Sequence, residues 1–282
     1  VTLPDRVPDL DVLSPTSSGS TDTAILESLL AIDRESSWTL ESSTPLAGDI
    51  GHPQGLTIDN DRWLVTTVFP REARGDVCVF DRSGDRIREV NVTDGARIHP
   101  GGFDSSNDSS LWVAVAEYRP RSTTVVMRFD ADFDAEVRFE VADHLGAICD
   151  LGDGTLFAVS WGSRSLYRLS YSGDILEQRT NPNHFVDYQD VQLLSPDHIL
   201  ATGVGSVRSD GNLHRLGGLA ILDSRDFHVM HEVPVMATMP SGQSITYNGF
   251  CVEARESHLV FHCLVDDTTA SIGHWTVSAP SR

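Results

Sequence analysis

The sequence predicts an all-β chain: a five-bladed β-propeller, its last blade closed by an N-terminal strand, with a short helix ahead of it. Three observations predict it. From about residue 37 onward, short β-runs alternate with turn residues. A five-residue opening recurs: His52-Pro-Gln-Gly-Leu56, His99-Pro-Gly-Gly-Phe103, His144-Leu-Gly-Ala-Ile148, Asp187-Tyr-Gln-Asp-Val191 and Thr246-Tyr-Asn-Gly-Phe250. The openings lie 47, 45, 43 and 59 residues apart. A period of about 40–45 residues with four strands is the size of one propeller blade. Finally, the run Trp38–Thr44 precedes the first opening and has no partner of its own. It fits the missing outer strand of the last blade, whose chain ends soon after Ile272–Val277. A β-sandwich with evenly spaced hairpins explains neither the repeated opening nor this orphan strand.

The elements follow in order. Residues 1–22 are rich in Pro, Ser, Thr and Asp, and the chain begins with Val. This composition suits a tether after a cleaved signal, which leans towards an exported or surface-attached protein. Residues 23–33, TAILESLLAID, place Ile25, Leu29 and Ile32 at helical spacing, with Asp22 or Thr23 as N-cap. Residues 1–36 therefore form an extension with a short helix, and 37–282 a single propeller domain. After each opening comes an apolar strand: Trp63–Val68, Leu111–Ala116, Thr155–Ser160, His198–Thr202 and Leu259–Leu264. Glycine-bearing turns at 81–85, 153–154 and 171–174 mark hairpins. A polar loop, roughly Ser206 to Leu216, accounts for the last, longer spacing.

The composition excludes several functions. Asp and Glu number 41 against 21 basic residues, a formal net charge of −20. Such a surface repels phosphate backbones and anionic lipids, so nucleic acid is not an expected partner. No apolar stretch approaches the roughly 20 residues of a membrane span. Every basic residue is Arg, which removes lysine chemistry. This bias fits either solubility in high salt or a GC-rich coding sequence. The four cysteines form no C-x-x-C pair. Cys251 and Cys263 fall on consecutive strands, where they are either a facing disulfide or, by preference, two buried free thiols. Asp130-Ala-Asp-Phe-Asp134 begins like a calcium loop but lacks the required Gly and Glu, so it reads as a hairpin turn. No G-x-S-x-G, G-x-G-x-x-G or Walker run is present, and no nucleotide cofactor is expected.

The openings HPQG and HPGG occur together with AEYRP at 116–120, DHLGAI at 143–148, SWGSR at 160–164 and HFVDYQD at 184–190. This set resembles a family of bacterial and archaeal proteins of unknown function, over about residues 52–277. The resemblance implies a β-propeller and a site face, and no activity. A weaker likeness to five-bladed glutaminyl cyclases, in Gln54-Gly-Leu56, lacks that family's other motifs.

Propeller geometry brings the strand openings and the loops after the second strands to one mouth. The openings place His52, His99, His144 and Asp187 at one register. Three imidazoles suit one divalent transition metal, with Glu117 or Asp187 as orienting group or general base. The alternative is that each His caps its strand. Gln54, Gln189 and Asn248 lie one step inward. Trp161, Arg164 and Tyr188 suit stacking on and bridging a planar or sugar-like ligand, and Arg119 suits clamping a carboxylate. The loop after the last blade's second strand adds Asp266 and Asp267. The expected function is a metal-dependent hydrolase or lyase acting on a small molecule. The alternatives are a non-catalytic module for a glycan or small metabolite, and a protein-interaction platform.

Overall fold

In a computed structural model, the structure describes residues 18–105, 110–181, 185–255, 258–266 and 269–278. Five sheets form a five-bladed β-propeller, as the repeat predicts. From the axis outward, blade 1 is His52–Asp59, Arg62–Phe69, Arg74–Asp81 and Arg86–Asn91. Blade 2 is Arg97–Pro100, Leu111–Glu117, Thr124–Phe129 and Ala135–Val141. Blade 3 is Leu145–Asp150, Thr155–Ser160, Ser165–Ser170 and Ile175–Thr180. Blade 4 is Asp187–Ser195, His198–Ser209, Asn212–Asp223 and Val229–Val235. Blade 5 is Phe250–Arg255, His258–Val265 and Ser271–Ser278, with Ser37–Pro45 as its outer strand.

Neighbouring blades cover both faces of the second strands, which therefore read as unbroken apolar runs such as Leu111–Ala116. Outer strands face water and carry charge, as in Arg86–Asn91. Five apolar clusters fill the five gaps between blades.

The axis is closed. At the fourth position of the opening, four blades carry Gly55, Gly102, Ala147 and Gly249, and blade 4 carries Asp190. A Cβ on Gly102 would lie 2.4 Å from the Gln189 oxygen, and one on Gly249 would lie 2.3 Å from the Leu56 nitrogen. Only glycine allows the inner strands to approach so closely. The fully buried Asp190 carboxylate fills the remaining space. Its Oδ2 accepts the Leu56 and Phe250 amides at 2.9 and 3.0 Å. Its Oδ1 accepts Phe103 and Val191 at 2.9 and 3.0 Å. One side chain thus ties blades 1, 2, 4 and 5. Blade 3 joins through a parallel pairing of Ala147–Ile148 with Gly102–Phe103. Burial pushes the Asp190 pKa up and the four amides pull it down. Four N–H donors on two oxygens is the geometry of the anion. A second buried carboxylate, Asp104, bonds Thr57 of blade 1 and the Leu193 amide of blade 4, both at 2.8 Å.

The ring closes where predicted: Ser37–Pro45 pairs antiparallel with Ser271–Ser278. Trp38 packs edge-on against Phe261, ring centres 4.9 Å apart. A polar ladder crosses the same blade. Thr44 Oγ1 lies 2.8 Å from His274 Nε2, and His274 Nδ1 lies 2.8 Å from His262 Nδ1. His262 Nε2 lies 3.3 Å from Glu253, which also takes Arg82 of blade 1 at 3.0 Å. The carboxylate only accepts, so His262 carries its proton on Nε2 and receives one from His274. Burial lowers both imidazoles, His274 to about 4, and keeps the pair neutral.

Three expectations change. The helix is Ser18–Leu30, so positions 22 and 23 lie inside it and do not cap it. Ile32 falls beyond its end yet is buried with Leu29 among blades 4 and 5, because a turn closed by Ile32 N to Leu29 O folds it inward. The region 206–216 is not a loop. Ser206 pairs with Arg215 in an unbroken ladder to Ser209 and Asn212, forming a hairpin arm. Asp210 and Gly211 both have positive φ, 52° and 79°, which a two-residue turn of this hand needs. Cys251 and Cys263 do not face each other: Cys251 pairs with His262 and Cys263 with Phe250. The one-residue offset sends the two thiols into different clusters, and all four cysteines are free and buried. The turn at 130–134 is a hairpin, with Asp130 Oδ1 accepting the amides of Asp132 and Asp134. Among the described residues, no helix is long and apolar enough to cross a membrane.

Asp190→Asn sets an amide NH2 against two backbone N–H donors. Urea unfolding is expected to show a loss of about 3 kcal/mol or more, with near-wild-type far-ultraviolet circular dichroism for whatever remains folded.

Candidate functional site

The inner strands do more than line the axis. In four of the five blades the pairing register shifts at the opening: Pro53/Leu56, Arg97/His99, Leu145/Ala147 and Tyr188/Asp190. Such bulges re-aim side chains. Here they turn first- and third-position side chains into a cavity of about 270 Å³ at the mouth. Of the residues expected there, His52, His99, His144, Asp187, Gln54, Gln189, Trp161 and Tyr188 line it.

His99 and His144 meet in the wall. His99 Nδ1 lies 3.2 Å from His144 Nε2. His144 Nδ1 lies 2.9 Å from the Arg119 carbonyl oxygen, which can only accept, so the proton of this ring is on Nδ1. Its Nε2 lone pair therefore faces His99. His99 Nε2 lies 2.9 Å from Gln54 Oε1; with the amide so oriented, Nε2–H donates to that oxygen and a lone pair is left on Nδ1. Two lone pairs then face each other across 3.2 Å. Turning the Gln54 amide over converts the contact to an ordinary N–H···N bond. Burial lowers both imidazoles, His99 to about 3, so the pair is neutral. Trp161 packs edge-on against His144 with ring centres 4.6 Å apart, and Tyr118 covers His99 at 4.7 Å.

His52 is held apart from this pair: its Nδ1 bonds Asp266 Oδ2 at 2.7 Å. The ligand atoms of the three histidines do not all lie within 4.8 Å of one another. Among the described residues, the group that does is Asp223, Asp226 and His228, on a hairpin turn of blade 4. There Asp223 is already taken by the Arg225 guanidinium, at 3.0 Å from Nε.

Asp187 is the titratable carboxyl of the cavity. Burial raises it to about 6, although the Ser163 hydroxyl, 3.2 Å away, favours the ionised form. Ser163 is positioned by the short turn Trp161–Ser163 and accepts the Tyr188 amide at 2.6 Å.

Other expected residues sit elsewhere. Glu117 and Arg119 bond each other at 2.8 Å in an outer groove, where Arg119 holds the carboxyl below its ordinary range. A carboxylate held low and outside the cavity is a poor base for chemistry within it. Arg164 is exposed and does not line the cavity, though its charge reaches Asp187 and His144. Tyr188 is only 2% exposed; its ring is packed in the core between blades 3 and 4, so no face is free to stack on a ligand. Asn248 is buried beneath the mouth, and its Nδ2 has no hydrogen-bond partner among the described residues. Asp267, and His184 of the HFVDYQD run, lie outside the described residues.

Sequence reasoning did not select Tyr118, Val204, Ser206, Arg215 or Tyr247 as ligand contacts, and all line the cavity. The Asp210-Gly211 hairpin signal would have placed Ser206 and Arg215 on an arm over the mouth. A larger cavity, about 910 Å³, lies on the outer seam of blades 5 and 1. Its charged groups already serve one another, as in Arg82 with Asp61 and Glu253. The mouth, with its paired imidazoles and raised carboxyl, is the stronger chemical site.

No curated protein matches the chain. Among solved structures, a hypothetical protein from Leishmania major is similar at 12% identity and TM-score 0.57, over 84% of this chain and 90% of that one. A protein of unknown function from Bacteroides caccae is similar at 9% identity and TM-score 0.48, over 75% and 70%. A luciferin-regenerating enzyme is similar at 10% identity and TM-score 0.47, over 84% and 76%. The first of these likenesses speaks to the fold alone. The family model of DUF6454, a family of unknown function, matches residues 12–277. That match, over nearly the whole bladed chain, makes it a member of the DUF6454 family.

Proposed function

We propose that the protein is a small-molecule hydrolase or lyase acting at the propeller mouth, with His99 and His144 as two ligands of one divalent transition metal. The observation that carries this reading is the 3.2 Å between His99 Nδ1 and His144 Nε2, with each ring's other nitrogen against an oxygen acceptor. Two nitrogens each about 2.0–2.1 Å from a tetrahedral ion lie about 3.3 Å apart. Ligating imidazoles commonly give their second N–H to a carbonyl or carboxylate, the role that Arg119 and Gln54 take here. By contrast, the imidazoles of the blade 5 ladder stand at 2.8 Å, an ordinary hydrogen-bond distance.

The ion would supply Lewis acidity towards a ligand oxygen. Asp187, with its pKa near neutrality, would hold or take a proton beside it. His52, fixed by Asp266 in the neighbouring blade, would orient the bound molecule beside the pair. The aromatic wall of Tyr118, Trp161 and Tyr247 supports a second reading, a non-catalytic binding site for a small metabolite.

Elemental mass spectrometry of untagged protein purified without chelators tests the metal. Near one equivalent is expected in wild type and in His52→Ala, and less than a tenth of that in His99→Ala/His144→Ala. No transition metal in folded wild type, even after incubation with Zn, Mn or Ni, would leave the pair a structural hydrogen bond and favour the binding reading.

Asp187 makes a separate prediction. Its 13C carboxyl resonance should titrate near pH 6, so the base form fills in as pH rises through that value. Ser163→Ala removes a donor to the ionised form and should move the midpoint up by about one unit. A midpoint at the ordinary Asp value would remove Asp187 from the acid–base role.

A further inference from the structure

We infer that the molecule bound at the mouth carries an oxyanion, a carboxylate or a phosphate ester, gripped by Arg215 on the hairpin arm of blade 4. The inference rests on the small-molecule reading of the mouth and names the class of ligand.

Arg215 and Ser206 are cross-strand partners on the arm, and both line the cavity. The Arg215 guanidinium lies 5.0 Å from the centre of the Tyr247 ring. That contact rests the exposed cation on the ring face, and its N–H groups, with no ion-pair partner among the described residues, are free for a bidentate one. The charge surroundings are unusual for this chain. Acidic residues outnumber basic ones 41 to 21, and carboxylates claim most arginines. Arg74 has Asp76 and Glu89, Arg82 has Asp61 and Glu253, and Arg97 has Asp94 and Glu140. Arg215 has no ion pair among the described residues, although it stands over a cavity.

A molecule of charge −20 repels anions at long range, so a site for one needs a local cation that no carboxylate neutralises. Arg215 meets that need. The rest of the lining suits an anion at one end of the ligand: amides from Gln54 and Gln189, the Ser206 hydroxyl, and neutral imidazoles at His99 and His144. Asp187 in the lining and Asp266 behind His52 are the opposing charges; burial raises the first, which lightens its repulsion below about pH 6, and the second is taken up by His52. The volume, about 270 Å³, is under the usual range of about 300–1,000 Å³ for ligand sites, so the molecule is small.

Thermal shift and calorimetry test this with acetate, benzoate and phenylacetate, each beside its primary amide, and with inorganic phosphate and phenyl phosphate beside phenol. At least one oxyanion should bind where its neutral counterpart does not, and the carboxylate and phosphate arms identify which. Arg215→Gln should weaken that binding by about ten- to hundred-fold. Arg215→Lys should fall between. Arg208→Gln, on the same arm but off the cavity, should match wild type. No preference for the anion, or equal affinity in Arg215→Gln, overturns the inference. The same titrations on His99→Ala/His144→Ala separate the two readings. Arg215-dependent binding that survives there, in protein found to hold no metal, keeps this inference while the metal reading falls. Metal-loaded wild type that ignores the oxyanions does the reverse.

Discussion

Much of this molecule hangs on one buried carboxylate. Asp190 takes four backbone amides, from the inner strands of blades 1, 4 and 5 and from Phe103 just past the inner strand of blade 2, onto two oxygens. A carboxylate stripped of water is costly, and direct N–H donors are what offset it. Because the donors are backbone groups at one register, the interaction fixes the height of each inner strand along the axis. The glycines at the same level let the strands close on it. The axis is therefore plugged, and the first and third positions of each opening, just above the plug, become the lining of a shallow mouth. The site is thus a consequence of the plug.

Among the described residues there are two imidazole pairs, and their surroundings separate them. The pair in blade 5 is one rung of a ladder from Thr44 to Glu253, with a donor and an acceptor at every step. It stitches the N-terminal strand into the ring and, through Arg82, to blade 1. Trp63 of blade 1 packs on both rings. The mouth pair borders a cavity and stands further apart, with its outer nitrogens committed to Arg119 and Gln54. Chemistry follows from that difference in partners, not from the residue type.

Electrostatics divide in the same way. Around the propeller, arginines and carboxylates pair locally, and most such exposed pairs contribute about 1 kcal/mol or less. At the mouth the balance is different: neutral imidazoles, one carboxyl raised by burial, and a guanidinium resting on a tyrosine. An acidic shell with a local unpaired cation discriminates among small molecules by charge in a way a uniformly acidic cleft does not.

The sequence by itself determined the five repeats, the strand order within each blade, the closing strand at Trp38–Thr44 and the register shared by His52, His99, His144 and Asp187. All are local properties: apolar patterning, turn residues, and the fixed length of a four-stranded unit. Only the tertiary structure decided which of those residues meet. A shared register places side chains at one height but leaves open the distances across the axis, which depend on blade rotation and on the bulge in each opening. Hence His99 touches His144 while His52 turns to Asp266, and Glu117 spends its charge on Arg119. Tyr188 sinks between blades. Two features were written in the sequence and still needed the fold to be read. Asp190 stands where the other blades carry Gly or Ala, and Asp210-Gly211 is a hairpin turn that carries Arg215 over the mouth. In both cases the residue's neighbours lie in other blades, and packing among the blades brought them into contact.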